Sequence, residues 1–118
     1  MESACCFWEG IECNETTAHV TKLSLDSTRN RRLGDWYFNA SLFLPFKELR
    51  KLDLSNNQLV DWAANEGFER LSGLNKLEVL LLDENGYNNS ILSSLGVLSP
   101  LKRLAISWNN LNGSIHLQ

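Results

Sequence analysis

Three stretches of the sequence share one spacing: LRKLDLSNNQL (49–59), LEVLLLDENGY (77–87) and LKRLAISWNNL (101–111). Each reads LxxLxLxxNxL when Tyr87 and Ile106 are accepted as apolar substitutes. The same apolar triplets continue upstream of each stretch, so the similarity extends beyond the quoted residues. This recurrence predicts that the chain is built from stacked copies of one structural unit.

The period of the copies predicts a leucine-rich-repeat fold. A weaker fourth copy, HVTKLSLDSTRN (19–30), places the repeat starts near residues 20, 49, 77 and 101, within the spacing typical of such repeats. Side chains alternate in an LxL stretch, so Leu52 and Leu54 face one way while Lys51, Asp53 and Ser55 face the other. The predicted class is an α/β-type solenoid, a right-handed coil with a parallel β-sheet on its concave face.

One asparagine follows each strong LxL stretch, at Asn57, Asn85 and Asn109. These positions fall where a strand bends into a loop and where backbone groups would otherwise be buried without partners. An asparagine amide has two donors and one carbonyl acceptor, so a column of them can bond neighbouring turns. We expect a structural role for all three residues.

Composition and charge exclude several classes of function. The 118 residues are 43% apolar and 21% charged, with a formal charge of -3, which argues against nucleic acid as a main partner. The basic cluster at Arg29, Arg31 and Arg32 is interpreted as a solvated loop. The sequence contains no apolar run long enough for a membrane span and no visible signal peptide.

No catalytic motif is visible. His19 and His116 lack companion motifs, and the sequence has neither GxSxG nor HExxH spacing, so neither enzyme activity nor a cofactor is expected. The cysteines of CCFWEGIEC (5–13) leave two alternatives, a disulfide or a zinc site formed with His19. Adjacent cysteines are poor tetrahedral ligands, which favours the disulfide.

Finer motifs resemble plant proteins. The stretches YNNSI (87–91) and LNGSI (111–115) are similar to the LxGxI continuation of plant-specific leucine-rich repeats. The pattern CCxWxGIxC, followed by VTKLSL, resembles the N-terminal cap of plant cell-surface leucine-rich-repeat proteins. Residues 33–57 look like the first-repeat extension of plant receptor-like proteins.

This resemblance implies a partial cap over residues 1–19 and repeats over 20–118, without a C-terminal cap. It implies a Cys6–Cys13 disulfide, while Cys5 would pair with a cysteine on a helix upstream of this chain. Trp8 and Ile11 are expected to cover the open end of the repeats, since an uncovered end exposes core leucines. Trp36 and Trp62 are expected in loops, packed over the convex side.

Two sets of residues are candidates for modification or binding. Asn-x-Ser/Thr sequons make Asn14, Asn39, Asn88 and Asn112 candidate glycosylation sites. The predicted concave face presents a set of alternating strand residues: Lys51, Asp53, Ser55, Val79, Leu81, Asp83, Arg103, Ser107 and Trp108. These residues form either a partner-binding surface, with Trp108 as an aromatic anchor, or an ordinary exposed strand surface.

Three functional hypotheses follow. The resemblance implies a recognition module of a plant cell-surface receptor-like protein, which binds an extracellular peptide, glycan or protein ligand and a co-receptor in defence or developmental signalling. It places the full-length protein at the plasma membrane or in the apoplast. The alternatives are a secreted inhibitor similar to polygalacturonase-inhibiting proteins, and an inactive truncated product that would self-associate or unfold readily.

Overall fold

A computed structural model describes residues 5–27, 34–98 and 101–109. Within them, five short strands form one sheet in the order β1-β2-β4-β6-β7. The strands of this sheet are β1 (Ile11–Cys13), β2 (Val20–Ser24), β4 (Lys51–Asp53), β6 (Val79–Leu81) and β7 (Arg103–Ala105). Each sequence repeat therefore contributes one strand to a shared sheet.

Equivalent leucines of successive repeats lie side by side. Strands β2, β4, β6 and β7 pair in parallel, and the register matches Leu23 with Leu52, Leu52 with Leu80, and Leu80 with Leu104. This confirms the parallel stacking of the repeats. The sheet as a whole is mixed, because β1, which precedes the repeats and was not predicted, pairs antiparallel with β2. The loop between β1 and β2 is short, and a short connection can join only antiparallel neighbours.

The alternation of side chains separates the core from the surface. Leu52, Leu54, Leu80 and Leu82 are fully buried, whereas the residues between them are partly exposed. Each fully buried leucine contributes about 1.5–3 kcal/mol through the hydrophobic effect. The core also includes apolar residues of the loops, among them Phe43, Leu49, Leu71, Leu74, Leu77, Ile91 and Leu98.

The asparagines form a hydrogen-bonded column, which confirms their predicted structural role. Asn85 Nδ2 donates to the carbonyl of Leu54 in the preceding repeat at 3.0 Å, and its Oδ1 accepts from the backbone N–H groups of Asn57 and Leu59. Asn109 repeats the arrangement, with Nδ2 donating to the Leu82 carbonyl at 2.9 Å. Each amide thus satisfies buried backbone groups of two repeats at once.

A second sheet lies in the connections between the repeats and was not predicted. Strands β3 (Trp36–Phe38) and β5 (Leu59–Trp62) pair in parallel, so the expectation that Trp36 and Trp62 lie in loops is wrong. Both tryptophans nevertheless pack against the core. Phe38 stacks on Phe68 with ring centroids 4.0 Å apart. Aromatic packing therefore holds this side of the repeats together.

In the part of the chain that the structure describes, three short helices lie in the connections, and a glycine permits close packing against β5. The helices are the 3₁₀ segments Ala40–Leu42 and Phe68–Gly73 and the α-helix Ile91–Leu95. Gly86 donates its N–H to the Leu59 carbonyl at 2.6 Å, and a Cβ at this position would lie 2.8 Å from Val60 Cγ1. A larger residue would therefore push the third repeat away from β5.

A disulfide closes a loop in the N-terminal segment. A disulfide joins Cys6 to Cys13, the pairing that the resemblance implied, and Cys5 lies outside this bridge. Ile11 packs against the core, but Trp8 is 64% exposed, so the prediction that Trp8 covers the end of the repeats is wrong. Successive turns bond Trp8 N–H to the Cys5 carbonyl and Ile11 N–H to the Trp8 carbonyl, and this chain path brings Ile11 to the core instead.

We predict that Asn85→Ala lowers the free energy of unfolding by about 1–3 kcal/mol, because it leaves buried backbone groups without partners. Urea denaturation followed by circular dichroism measures the change. Asn75→Ala, at an exposed position, is the matched control and should shift stability by less than about 0.5 kcal/mol. Equal effects of the two substitutions would contradict the role given to the column.

We also predict that the Cys6→Ala/Cys13→Ala variant is about 2.5 kcal/mol less stable than the wild type, from the entropy of closing a short loop. The comparison uses urea denaturation without reductant, and Cys5→Ser serves as the control that retains the bridge. Unchanged stability of the double variant would show that the disulfide does not constrain the unfolded chain.

Candidate functional site

The structure brings the predicted surface residues onto one side of the five-stranded sheet, which we call the outer face. It consists of the partly or fully exposed residues Lys22, Lys51, Asp53, Ser55, Val79, Leu81, Asp83, Arg103, Ala105, Ser107 and Trp108. The ladder continues past the strands, since Asn56 N–H donates to the Asp83 carbonyl and Glu84 N–H to the Ser107 carbonyl, each at 2.8 Å. The outer face is therefore ordered in rows that cross the strands.

The first row is cationic. In register across β2, β4, β6 and β7 it contains Lys22, Lys51, Val79 and Arg103. Lys22 lies 3.9 Å from a carboxylate oxygen of Glu12. Within the described residues, neither Lys51 nor Arg103 forms an ion pair. These two cations flank Val79, and neighbouring strands are about 4.8 Å apart.

The second row mixes acidic and apolar side chains, and the third row contains Asp83. Asp53, Leu81 and Ala105 are register neighbours in the second row. In the third row, Asp83 Oδ1 accepts a hydrogen bond from Ser107 N–H at 2.6 Å. In the second row, Asp53 Oδ1 accepts one from Ser55 N–H at 3.0 Å. These backbone donors hold both carboxylates in fixed positions. The sign of the charge thus reverses along the strand direction.

A recurring backbone conformation ends each strand of the repeats. Ser27, Asn56, Glu84 and Trp108 occupy equivalent positions and all have positive φ values, between 55° and 61°. This left-handed conformation is unfavourable for residues other than glycine, by roughly 1–2 kcal/mol. Trp108 adopts it while 82% of its surface stays exposed, so packing does not offset the cost. The conformation belongs to the repeat, since it recurs at all four positions. The exposure of a tryptophan at the rim of this surface is what supports a role in recognition.

The described sequons share one geometry and lie outside the strands of this sheet. The Oδ1 atoms of Asn14, Asn39 and Asn88 accept from the backbone N–H two residues later, at 2.8, 3.0 and 2.9 Å. Asn14 and Asn88 are exposed and Asn39 is half-buried. The fourth sequon at Asn112 falls outside the described residues, as do the basic cluster at 29–32 and the LNGSI stretch.

The alternative of a zinc site is wrong. Cys6 and Cys13 are consumed by their disulfide and cannot serve as thiolate ligands. Across residues 5–27, 34–98 and 101–109, no group of three or more His, Cys, Asp or Glu side chains is arranged to hold a metal ion. In the same part of the chain, no helix has the length and apolar character needed to cross a bilayer.

A polar cluster that lies away from the outer face was not predicted from the sequence. The Glu66 carboxylate accepts from the Ser41 hydroxyl at 2.8 Å and from Arg70 Nη1 at 2.7 Å. The hydrogen bond from Ser41 is the main cause that holds the pKa of Glu66 below its usual range. The cluster joins two connections that are 25 residues apart in the chain, and no sequence pattern signals it. Its side chains bond one another, so its role is structural.

The ladder of LxL strands and the asparagine column define a leucine-rich-repeat module, and similar solved structures support this fold. No protein-family model matches the chain. The structure is similar to the BIR2 ectodomain from Arabidopsis thaliana, with TM-score 0.69 and 27% identity over 92% of this chain and 53% of that one. It also resembles the leucine-rich-repeat ectodomain of the Arabidopsis thaliana receptor kinase GASSHO1/SCHENGEN3, crystallised with CASPARIAN STRIP INTEGRITY FACTOR 2. That match has TM-score 0.66 and 32% identity over 91% of this chain and 12% of that one.

Comparison of the sequence with curated proteins shows which leucine-rich-repeat proteins are its relatives. Receptor-like protein 56 of Arabidopsis thaliana is 40% identical over 99% of this chain, and Cuscuta receptor 1 of Solanum lycopersicum is 42% identical over 86%. The chain spans only 12% and 9% of the length of these two curated relatives. The homologues of this chain are thus plant receptor-like proteins, 31–42% identical over most of its length.

Proposed function

We propose that this chain is a recognition module from the ectodomain of a plant cell-surface receptor-like protein. In this proposal, the outer face is the concave surface of a right-handed leucine-rich-repeat coil and binds an extracellular peptide, glycan or protein ligand, or a co-receptor. The observation that carries the proposal is the exposed Trp108 at one end of a face whose other end carries Lys51 and Arg103, two cations that form no ion pair in the described structure. Tryptophan and arginine are among the residues enriched at binding hot spots.

Several finer expectations belong to the same proposal. Residues 1–19 would act as a partial cap and residues 20–118 as repeats. The full-length protein would act at the outer side of the plasma membrane or in the apoplast, in defence or developmental signalling, with sugars on the sequon asparagines. The Cys6–Cys13 disulfide supports an oxidising compartment. Because Asn14, Asn39 and Asn88 lie outside the strands of the five-stranded sheet, sugars there would leave the outer face accessible.

The relatives favour this proposal over the alternatives. They are receptor-like proteins, and leucine-rich-repeat ectodomains are binding modules without enzymatic activity. The secreted inhibitor and the inactive product are therefore not favoured.

We predict that a photoreactive phenylalanine at Leu81 forms adducts with a component of plant extracellular fluid, whereas the same group at Val97 does not. Val97 is the matched control because it is an exposed aliphatic residue outside the sheet. Excess unlabelled wild-type chain should suppress the adducts, and the Trp108→Ala variant should suppress them poorly. Equal labelling at the two positions, or labelling insensitive to the competitor, would contradict the proposal.

A further inference from the structure

The outer face carries opposite charges at its two ends, although the chain as a whole has a net charge of only -3. Lys51 and Arg103 lie on either side of Val79 in the first row. Two residues further lies the half-buried Leu81, which ends β6 and has Asp53 and Ala105 as register neighbours. Asp83 and the exposed Glu84 follow the strand. One line along β6 therefore passes from cationic through apolar to acidic surroundings.

The spacing of Val79, Leu81 and Asp83 matches the spacing of alternate side chains in an extended peptide. Residues on the same side of a strand recur about every 6.6 Å, and an extended peptide places its own alternate side chains at the same interval. A peptide lying along β6 would bring three alternate side chains over Val79, Leu81 and Asp83. Charge complementarity then fixes the chemistry that each position accepts.

We propose that the outer face binds an extended peptide segment with an acidic, an apolar and a basic side chain at alternate positions. The acidic group lies between Lys51 and Arg103, the apolar group contacts Leu81, and the basic group approaches Asp83 and Glu84. This inference rests on the proposed function and names the chemistry of its partner. Trp108, at the rim near the acidic end, gives an aromatic surface that a basic side chain also favours.

The same pattern argues against a polyanionic glycan as the occupant. A uniformly charged chain that satisfied Lys51 and Arg103 would also lie within about 6.6 Å of the Asp53 row and would be repelled there. Asp53 and Asp83 are held in place by backbone N–H groups and cannot easily turn away. The half-buried Val79 and Leu81 also interrupt the polar contacts that a sugar polymer needs.

Fluorescence polarisation at low salt tests the inference with end-blocked labelled peptides added to the 118-residue chain. The probe is SSESLSKSS, and the comparison peptides are SSESLSESS, SSKSLSKSS and an oligogalacturonate. We expect the probe to bind about tenfold more tightly than either peptide with like charges. Lys51→Glu should weaken binding of the probe about tenfold and should improve binding of SSKSLSKSS.

Lys47→Glu is the matched control, because it makes the same charge change at an exposed residue in the loop before β4. The inference is overturned if Lys47→Glu weakens the probe as much as Lys51→Glu does, or if all the peptides bind alike. It is also overturned if the oligogalacturonate or SSESLSESS binds more tightly than the probe, or if no peptide binds at about 1 mM. Adducts at Leu81 that persist in the Lys51→Glu chain would contradict this inference but not the proposed function. Absence of adducts with the wild-type sequence at Lys51 would contradict the proposed function.

Discussion

The structure depends on parallel pairing of strands too short to be stable alone. Each repeat contributes a strand of three to five residues, and its leucines are buried only because the next repeat lies beside it. The register that matches Leu52 with Leu80 and Leu104 makes one continuous core from separate weak units. Burial of leucines drives this arrangement, but it does not satisfy the backbone at the points where strands bend into loops. The side chains of Asn57, Asn85 and Asn109 supply the hydrogen bonds that these backbone groups need.

The same alternation that buries the leucines presents the outer face. A side chain between two core leucines must point away from the core, so its identity is free to serve binding instead of packing. Among the described cations outside the outer face, Arg50, Arg70, Lys76 and Lys102 form ion pairs, whereas Lys47 does not. Glu78 lies between Arg50 and Lys102 at one end of the strands, and Lys76 bonds Glu48 at 2.7 Å. Within the described part of the chain, Lys51 and Arg103 form no ion pair and lie in register on either side of Val79, and this arrangement makes the outer face the candidate for recognition.

Sequence spacing predicted the repeat register, the buried leucines and the asparagine column, because each follows from a period that repeats in the chain. It did not predict the second sheet, since β3 and β5 lack a shared pattern and pair only because the repeats bring them together. The antiparallel β1 was missed for a related reason, because it precedes the repeats. Trp8 was placed wrongly from its position inside the Cys6–Cys13 loop, because that position does not reveal the turns that direct Ile11 to the core. The residues of the outer face followed from alternation, whereas the strained backbone of Trp108 required coordinates.

Solution NMR of the 118-residue chain can observe the shared ladder itself. The structure places the Leu54 N–H 2.9 Å from the Leu81 carbonyl and the Leu82 N–H 2.8 Å from the Ala105 carbonyl. We expect slow exchange of these two amides and nuclear Overhauser contacts that link β4 to β6 and β6 to β7. Fast exchange of both amides, with contacts only between residues close in sequence, would show that the repeats do not stack and would remove the basis of the outer face.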